Sequence, residues 1–119
     1  MKVTYNDIIR ASSSMKKLCE RELPVKSAIA LSRLVKKMNE EIEIFYKEQR
    51  KIVEKYGIVN EETGDFKICE KNQKDYADKM TELFALEVEI DSEKIEIEGL
   101  GNIEAAVILD TEPFVTFKE

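Results

Sequence analysis

The sequence contains no histidine, and its 119 residues include only two cysteines, two prolines and four glycines. Without imidazole, a single chain cannot assemble a nucleophile–histidine pair or the usual zinc ligand sets. The glycines are too scattered to form a phosphate-binding loop. Cys19 and Cys69 lack a C-x-x-C spacing, so we expect reduced, partly buried packing residues. The sequence therefore predicts no catalytic residue, no metal ligand and no cofactor, and an enzyme is not expected.

Long hydrophobic runs are also missing. No apolar stretch approaches the roughly 20 residues of a membrane span, and Met1-Lys2-Val3 leads into polar sequence without a signal-peptide core. Charged residues make up 37% of the chain and hydrophobic residues 43%, which is typical of a soluble, helix-rich protein. We therefore expect a single domain over residues 1–119, located in the cytoplasm and without membrane contact.

Local signals predict three helices, over about residues 4–21, 25–56 and 70–85. Thr4 and Asp7 have the spacing of a capping box at the start of the first helix. Leu23-Pro24 predicts a tight corner before the second, because the residue before a proline avoids helical geometry. At about 1.5 Å per residue the second helix would be roughly 48 Å long, whereas a compact chain of this size is about 35 Å across. Part of this helix must therefore project from the core or be covered by another element.

A 3-4 spacing of side chains continues through the long helix. We use the term heptad seam for its central part, formed by Val35, Met38, Ile42, Phe45, Gln49 and Ile52. In one interpretation the seam is a core stripe, covered by the first helix on its proximal half and by an antiparallel return of the third helix on its distal half. In the other, the seam contacts a second subunit and the polar Gln49 sets the register of the two helices. A homo-oligomer is therefore the alternative prediction.

Short strands complete a prediction of a mainly helical α+β fold, a long helical hairpin with small antiparallel sheets. Two short apolar segments flank a polar stretch with a glycine and predict a β-hairpin over residues 58–68, with Gly57 as a left-handed cap on the preceding helix. The segment LEVEIDSEKIEIE alternates aliphatic and acidic residues and predicts a second hairpin, of residues 87–91 with 94–98. Residues 1–3 are expected to add a third strand to it.

The last 20 residues carry weaker signals. Asn102 is expected to cap a short helix from Ile103 to Asp110, although residues 106–109 are equally apolar for a buried strand. Residues 114–117 alternate and need a partner strand if they are not an exposed apolar tail. The conformation of residues 99–119 therefore stays open at this point.

The second hairpin would place four glutamates in one acidic row, with Glu89 opposite Glu96 and Glu87 opposite Glu98. Like charges directly across a strand pair destabilise it, so this register needs a positive group nearby. Two interpretations of the row remain: the solvated side of the sheet, or a face that binds a protein partner. A metal or acid–base site is disfavoured, because a sheet face offers no concave pocket by itself.

Charge is unevenly distributed along the chain, whose net charge is −6. Residues 10–37 carry eight basic and two acidic side chains, a local charge of +6, so the remainder carries −12. Six of these basic residues form two helical stripes that are either solvated faces or a site for an anion such as a nucleotide phosphate. They are Arg10, Lys17 and Arg21 on the first helix and Lys26, Arg33 and Lys37 on the second. Duplex nucleic acid is not expected as a partner, because the protein is acidic and has no recognition motif.

One family resemblance is present. The run LPVKSAIALSRLVKKMNEEIEIF, followed by VEKYG, a TG turn and YADKMTELFALEVEID, resembles a group of small uncharacterised proteins of bacteriophages and prophages of Gram-positive bacteria. The resemblance covers about residues 3–98. It implies a phage origin, a location in the host cell and the helical fold, and it carries over no catalytic residue.

These observations predict a non-enzymatic phage accessory protein that binds a host or phage protein stoichiometrically, as an inhibitor of a host defence protein would. Its contact surface is either the acidic strand region or the exposed long helix. The alternative is an oligomeric assembly or structural factor of the phage particle, acting through the heptad seam. A weaker alternative is a binder of an anionic, nucleotide-like ligand at the basic stripes.

Overall fold

The uninterrupted helical pattern in the middle of the sequence forms the longest element of the computed structural model, which describes residues 1–118. This helix, α2 (Val25–Tyr56), has the bounds that the sequence predicts. The other helices are α1 (Tyr5–Cys19), α3 (Gln73–Ala85), preceded by a 3-10 turn at Glu70–Asn72, and the short α4 (Ala105–Thr111). The fold is a mainly helical α+β fold, as expected.

The capping box of α1 is formed as predicted. The Thr4 hydroxyl accepts from the Asp7 backbone N–H (3.1 Å), and the Asp7 carboxylate accepts from the Thr4 backbone N–H (3.0 Å). Both bonds satisfy donors that a helix start otherwise leaves without a partner. The helix ends at Cys19, two residues earlier than the predicted end at residue 21.

Phe45, in the middle of α2, is the point at which the three long helices meet. Its ring centroid lies 5.6 Å from that of Tyr5 at the start of α1 and 5.0 Å from that of Phe84 near the end of α3. At the other end of α3, the Asn72 side-chain amide donates to the carbonyl of Tyr56, the last residue of α2 (3.2 Å). The third helix therefore returns antiparallel along the distal half of α2, as predicted.

Within residues 1–118, six strands form three separate two-stranded sheets. β1 (Lys2–Thr4) pairs antiparallel with β4 (Glu87–Glu89), and β2 (Gly57–Val59) pairs antiparallel with β3 (Phe66–Ile68), which is the predicted first hairpin. β5 (Ile95–Glu98) pairs with β6 (Val115–Lys118), and this pair is parallel. The predicted pairing of residues 1–3 with the strand that begins at Glu87 is confirmed.

The predicted hairpin of residues 87–91 with 94–98 is wrong. The two strands belong to different sheets, and the physical reason lies in the charges that each register places opposite one another. The hairpin would set glutamate against glutamate, whereas the observed registers place Lys2 opposite Glu89 and Lys118 opposite Glu98. Opposite charges across a strand pair stabilise it, and like charges do the reverse.

Gly57 is also not the left-handed cap that the sequence predicts. Its backbone is extended (φ −148°, ψ −165°), and it is the first residue of β2. A Cβ atom at this position would lie 2.4 Å from the Lys67 carbonyl oxygen. Gly57 is therefore required by the close approach of the two strands of the hairpin and not by a positive φ.

The C-terminal segment folds back onto α1. The helix α4 begins at Ala105 rather than at Ile103, with Glu104 in place of Asn102 at its N-cap, and it packs against α1. Phe114 is fully buried, and the alternating residues after it form β6, which finds its partner in β5. The buried side chains of these elements join those of the three long helices in one hydrophobic core.

Truncation of Phe45 tests its position at the junction of the three helices. Phe45 is 1% exposed, so Phe45→Ala is expected to lower the free energy of unfolding by about 3 to 5 kcal/mol. The neighbouring Ile44 is 47% exposed, and Ile44→Ala is the matched control, with an expected change within about 0.5 kcal/mol. Urea denaturation followed by circular dichroism measures both. Equal losses in the two variants would contradict the assigned burial.

Ionisation of Tyr5 makes the stability of the fold depend on pH in the alkaline range. Burial, and then a hydrogen bond from its hydroxyl to Glu41 (2.9 Å), raise the pKa of Tyr5 from 10.0 to about 12. Between these values the unfolded chain loses the phenolic proton and the folded chain keeps it, so this contribution to stability falls as pH rises.

We expect the stability difference between wild type and Tyr5→Phe to favour the wild type at pH 8 and to shrink as pH rises through 10 toward 12. Denaturant midpoints measured across this pH range report it. Tyr46→Phe removes a hydroxyl from a side chain that is 54% exposed and is the control for loss of a tyrosine hydroxyl. A difference for Tyr5→Phe that does not change with pH would contradict the prediction.

Candidate interaction surface

The four glutamates of the predicted acidic row are exposed, but the structure separates them into two pairs. Glu87 and Glu89 lie on β4, beside β1, and Glu96 and Glu98 lie on β5, beside β6. Each pair has a positive group close by. The Met1 amino group lies 3.5 Å from a carboxylate oxygen of Glu89, and Lys118 Nζ lies 3.2 Å from one of Glu96. The acidic row is therefore two separate exposed pairs.

The basic stripe predicted on the first helix contacts the C-terminal segment of the same chain. Arg10 Nε lies 3.2 Å from Asp110 on α4, and Lys17 Nζ lies 3.6 Å from Glu104. Arg21, just beyond α1, donates to the backbone carbonyls of Leu100 (2.7 Å) and Asn102 (3.5 Å). This stripe thus holds residues 100–110 against α1.

The basic stripe of α2 faces a different segment. Lys26, Arg33 and Lys37 line an open groove of about 830 Å³ between α2 and the chain around β5. Lys37 also donates to the backbone carbonyl of Asp91. The two basic stripes therefore contact different segments and form no common site. The groove beside α2 also carries acidic side chains, namely those of Glu93, Glu96 and Glu98.

The residues of the heptad seam line the inner face of α2. Met38 and Phe45 are each 1% exposed and belong to the hydrophobic core of this chain. Val35, Ile42, Gln49 and Ile52 are partly exposed. A second subunit cannot reach Met38 and Phe45 in this conformation, so an oligomer contact would use other residues.

A second groove, which the sequence did not indicate, lies at the C-terminal ends of β5 and β6. It measures about 1,070 Å³ and is mainly apolar. We use the term apolar groove for it. Its apolar walls come from the loop after β5, from α4 and from the two strands, and they consist of Ile97, Leu100, Ile103, Ile108 and Phe117.

Local sequence explains how the apolar groove arises. Gly99 (φ +70°) and Gly101 (φ +68°) allow the chain to turn sharply after β5, in a region that favours glycine. The run Ala106-Val107-Ile108-Leu109 is apolar all around α4, but only Val107 is buried. Ile108 remains 42% exposed and Leu109 59% exposed. A helix that is apolar on every side is usually buried, but α4 packs on one side only, so the groove becomes visible only when its docking on α1 is known.

The cysteines are separate and free. Cys19 is exposed rather than partly buried as expected, and Cys69 is partly exposed. Desolvation of the sulfur, and then the neighbouring Glu20 carboxylate, raise the pKa of the Cys19 thiol, which favours its protonated, poorly nucleophilic form. Within residues 1–118, no three acidic or cysteine side chains are grouped as metal ligands.

No helix in the described part of the chain combines the length and the apolar character needed to cross a membrane. No protein-family model matches the sequence, and no curated protein or solved structure is significantly similar to it.

The role of Arg21 in holding the C-terminal segment can be tested by hydrogen exchange. Arg21→Ala removes two charge-assisted hydrogen bonds to backbone carbonyls, so the segment covering residues 99–111 should take up deuterium faster than in the wild type. The β2–β3 hairpin should be unaffected. Arg33→Ala, which removes the same charge from α2, is the control, and equal uptake over 99–111 in both variants would contradict the assignment.

Proposed function

We propose that this chain is a non-enzymatic protein that binds a basic protein partner stoichiometrically through the acidic surface of residues 86–118. The observation that carries the proposal is the combination of exposed acidic side chains with the apolar groove. Residues 86–118 contain nine acidic and two basic side chains. Exposed apolar side chains and exposed charges in the same segment are typical of protein interfaces.

The contacts within the chain engage only part of this acidic charge. Within residues 1–118, four acidic residues of this segment form ion pairs, namely Glu89, Glu96, Glu104 and Asp110. The other five acidic residues of the segment have no basic group of the described chain within 4.0 Å; they are Glu87, Asp91, Glu93, Glu98 and Glu112. Their summed field favours a partner of positive charge and speeds its association.

The resemblance to phage proteins adds the class of partner to the proposal. A phage accessory protein acts in the infected bacterium, where host and phage proteins are both present, and we propose a host protein whose action is blocked when the acidic surface covers it. An inhibitor of a host defence protein works in this way, by occupancy and without chemistry. This part of the proposal rests on the resemblance alone.

An oligomeric assembly factor is the second candidate, and the distal end of the molecule favours it. Ile58 and Phe66, on the β2–β3 hairpin at this end, are 71% and 48% exposed, and the molecule is elongated, with extents of 52 × 29 × 23 Å. An exposed apolar end on an elongated chain suits end-to-end contacts. Light scattering separates the two candidates, because a strict monomer at high concentration excludes assembly through this end.

Two double variants test the proposed function. Glu96→Gln/Glu98→Gln changes the acidic pair on β5, and Glu40→Gln/Glu43→Gln, which neutralises two exposed glutamates of α2 outside residues 86–118, is the matched control. The tagged wild type, expressed during infection, should retain a basic protein at about equal molar amount, and the control variant should retain it too. The first variant should lose it at unchanged thermal stability, because it removes two of the charges that the partner contacts.

Quantitative mass spectrometry of the purified material measures the molar ratio of the partner to the tagged protein. The proposal fails if no protein is recovered in stoichiometric amount, or if both double variants retain the partner as the wild type does. Loss of the partner from the α2 variant alone would place the contact on α2 and overturn the proposed surface.

A further inference from the structure

We infer that the groove beside α2 binds an extended segment of the partner, which joins the unpaired edge of β5 as an additional strand. The segment carries lysine or arginine on the face that meets Glu96 and Glu98, and acidic or small side chains on the face that meets α2. This inference rests on the proposed function and specifies how the partner is held at the acidic surface. It is carried by the backbone groups of β5, by the charges on the two walls and by the length of the groove.

β5 has one paired edge and one unpaired edge. The Ile95 N–H donates to the carbonyl of Phe114, the residue just before β6 (3.0 Å). In a parallel ladder both backbone polar groups of a residue point to the same side and successive residues alternate, so those of Glu96 and Glu98 point away from β6. No other backbone group in residues 1–118 forms a hydrogen bond with them. Both glutamates line the groove beside α2, so the unpaired edge borders this groove.

An unpaired strand edge is a template for another strand. An extended peptide that lies along β5 would bond to the N–H and C=O groups of Glu96 and Glu98, and this backbone pairing is the main source of affinity in strand addition. A second copy of this chain cannot use the same edge in the same way, because pairing two β5 strands would set a glutamate opposite a glutamate. The two side chains therefore select which strand can join the edge.

The strand wall of the groove indicates basic side chains on one face of the segment. Glu96 and Glu98 are exposed, and a residue directly opposite either of them in an added strand places its side chain on the same face. Glu98 has no basic group within 4.0 Å in the described chain, whereas Glu96 lies 3.2 Å from Lys118 Nζ on β6. Opposite charges across a strand pair stabilise it, so lysine or arginine is favoured at these positions.

The helix wall indicates acidic and small side chains on the other face. Lys26, Ala30, Arg33 and Lys37 recur at spacings of four, three and four, so they form one stripe of α2 along the groove. Lys37 donates to the Asp91 carbonyl. Within residues 1–118, Lys26 and Arg33 have no acidic group within 4.0 Å. Carboxylates of an added strand would pair with these two cations, and a small side chain would lie on Ala30.

The length of the groove suits a short strand. At about 1.5 Å per residue, the stripe from Lys26 to Lys37 extends about 16 Å along α2. At about 3.3 Å per residue, a strand of about five residues has this length. The remaining charged lining residues, Glu93 and Lys94, are adjacent and of opposite sign, so they leave the balance of the two walls unchanged. A helix in the same place would leave the edge of β5 unpaired, which favours an extended occupant.

The test uses a short synthetic peptide with the repeat Lys-Val-Lys-Glu, and fluorescence anisotropy measures its affinity for the full chain. One derivative is N-methylated at every lysine and a second at every valine and glutamate. Both keep all side chains and charges, but each loses the N–H groups of one strand edge only. We expect one derivative to bind about tenfold more weakly than the other, because only one edge of the added strand faces β5. Loss on lysine methylation identifies an antiparallel strand, and loss on methylation of the other set identifies a parallel one.

Amide exchange measured by NMR reports the same contact from the side of the protein. The N–H groups of Glu96 and Glu98 should exchange quickly in the free chain and slowly at saturating peptide, because the added strand supplies their acceptors. The Ile95 N–H, which already donates to Phe114, is the internal reference, and its exchange should change little.

Arg33→Glu tests the helix wall. It reverses a charge that should pair with the glutamates of the peptide, so the affinity should fall about tenfold. Lys36→Glu makes the same change of charge at an exposed residue of α2 that does not line the groove, and it is the matched control. The peptide is positively charged overall, so a contact made by general charge attraction would be strengthened in both variants. Thermal melting confirms that both variants are folded.

The inference is overturned if the parent peptide does not bind, if the two N-methylated derivatives bind equally, if the Glu96 and Glu98 amides stay unprotected at saturation, or if Arg33→Glu binds as tightly as Lys36→Glu. The outcome is separable from that of the proposed function. If the peptide binds as a strand but no cellular partner is recovered, the edge assignment stands and the function fails. If the peptide fails these tests while Glu96→Gln/Glu98→Gln alone loses its cellular partner, the function stands and the edge assignment fails.

Discussion

The fold depends on one constraint, which is that the apolar stripe of α2 is too long for any single helix of this chain to cover. α1 covers its first half and α3 covers its second, and the two meet at Phe45. Because α1 begins where α3 ends, the residues just before α1 and just after α3 are brought side by side. The pairing of β1 with β4 follows from this arrangement, and a hydrogen bond from the Tyr5 N–H to the Leu86 carbonyl (3.2 Å) continues it.

Contacts within the chain account for much of the segregation of charge along the sequence. The basic stripe of α1 contacts the C-terminal segment, and the basic stripe of α2 lines a groove with β5 and the residues just before it. Most of these contacts are at the surface, where a single ion pair contributes little stability, so their effect is to select the place where an acidic segment docks. What remains is the set of acidic side chains in residues 86–118 that have no basic group within 4.0 Å in the described chain, and these are the basis of the proposed function.

The parts of the fold that local signals encode were predictable, and the parts set by distant residues were not. The capping box at Thr4 and the unbroken pattern of residues 25–56 fix helices within a few neighbouring residues, so their bounds follow from the sequence. Strand pairing depends on which segments tertiary packing brings together. The alternation of residues 87–98 predicted strands but not that β5 would pair with residues 20 positions downstream. The apolar groove was missed for the same reason, since it forms only when α4 docks on α1.

The pairing of β1 with β4 also sets the order in which the chain acquires its structure during synthesis. Lys2 pairs with Glu89, and Tyr5 and Phe84 both pack on Phe45, so neither the first strand nor the centre of the core is complete until the chain has been made well past its midpoint. Contacts between residues so far apart in sequence form slowly, because a long loop must close first. α1 and α2 can form and pair earlier, since their contacts are closer in sequence. Until α3 emerges, the distal apolar stripe of α2 is exposed, and over that interval it is the surface most open to aggregation or to a chaperone.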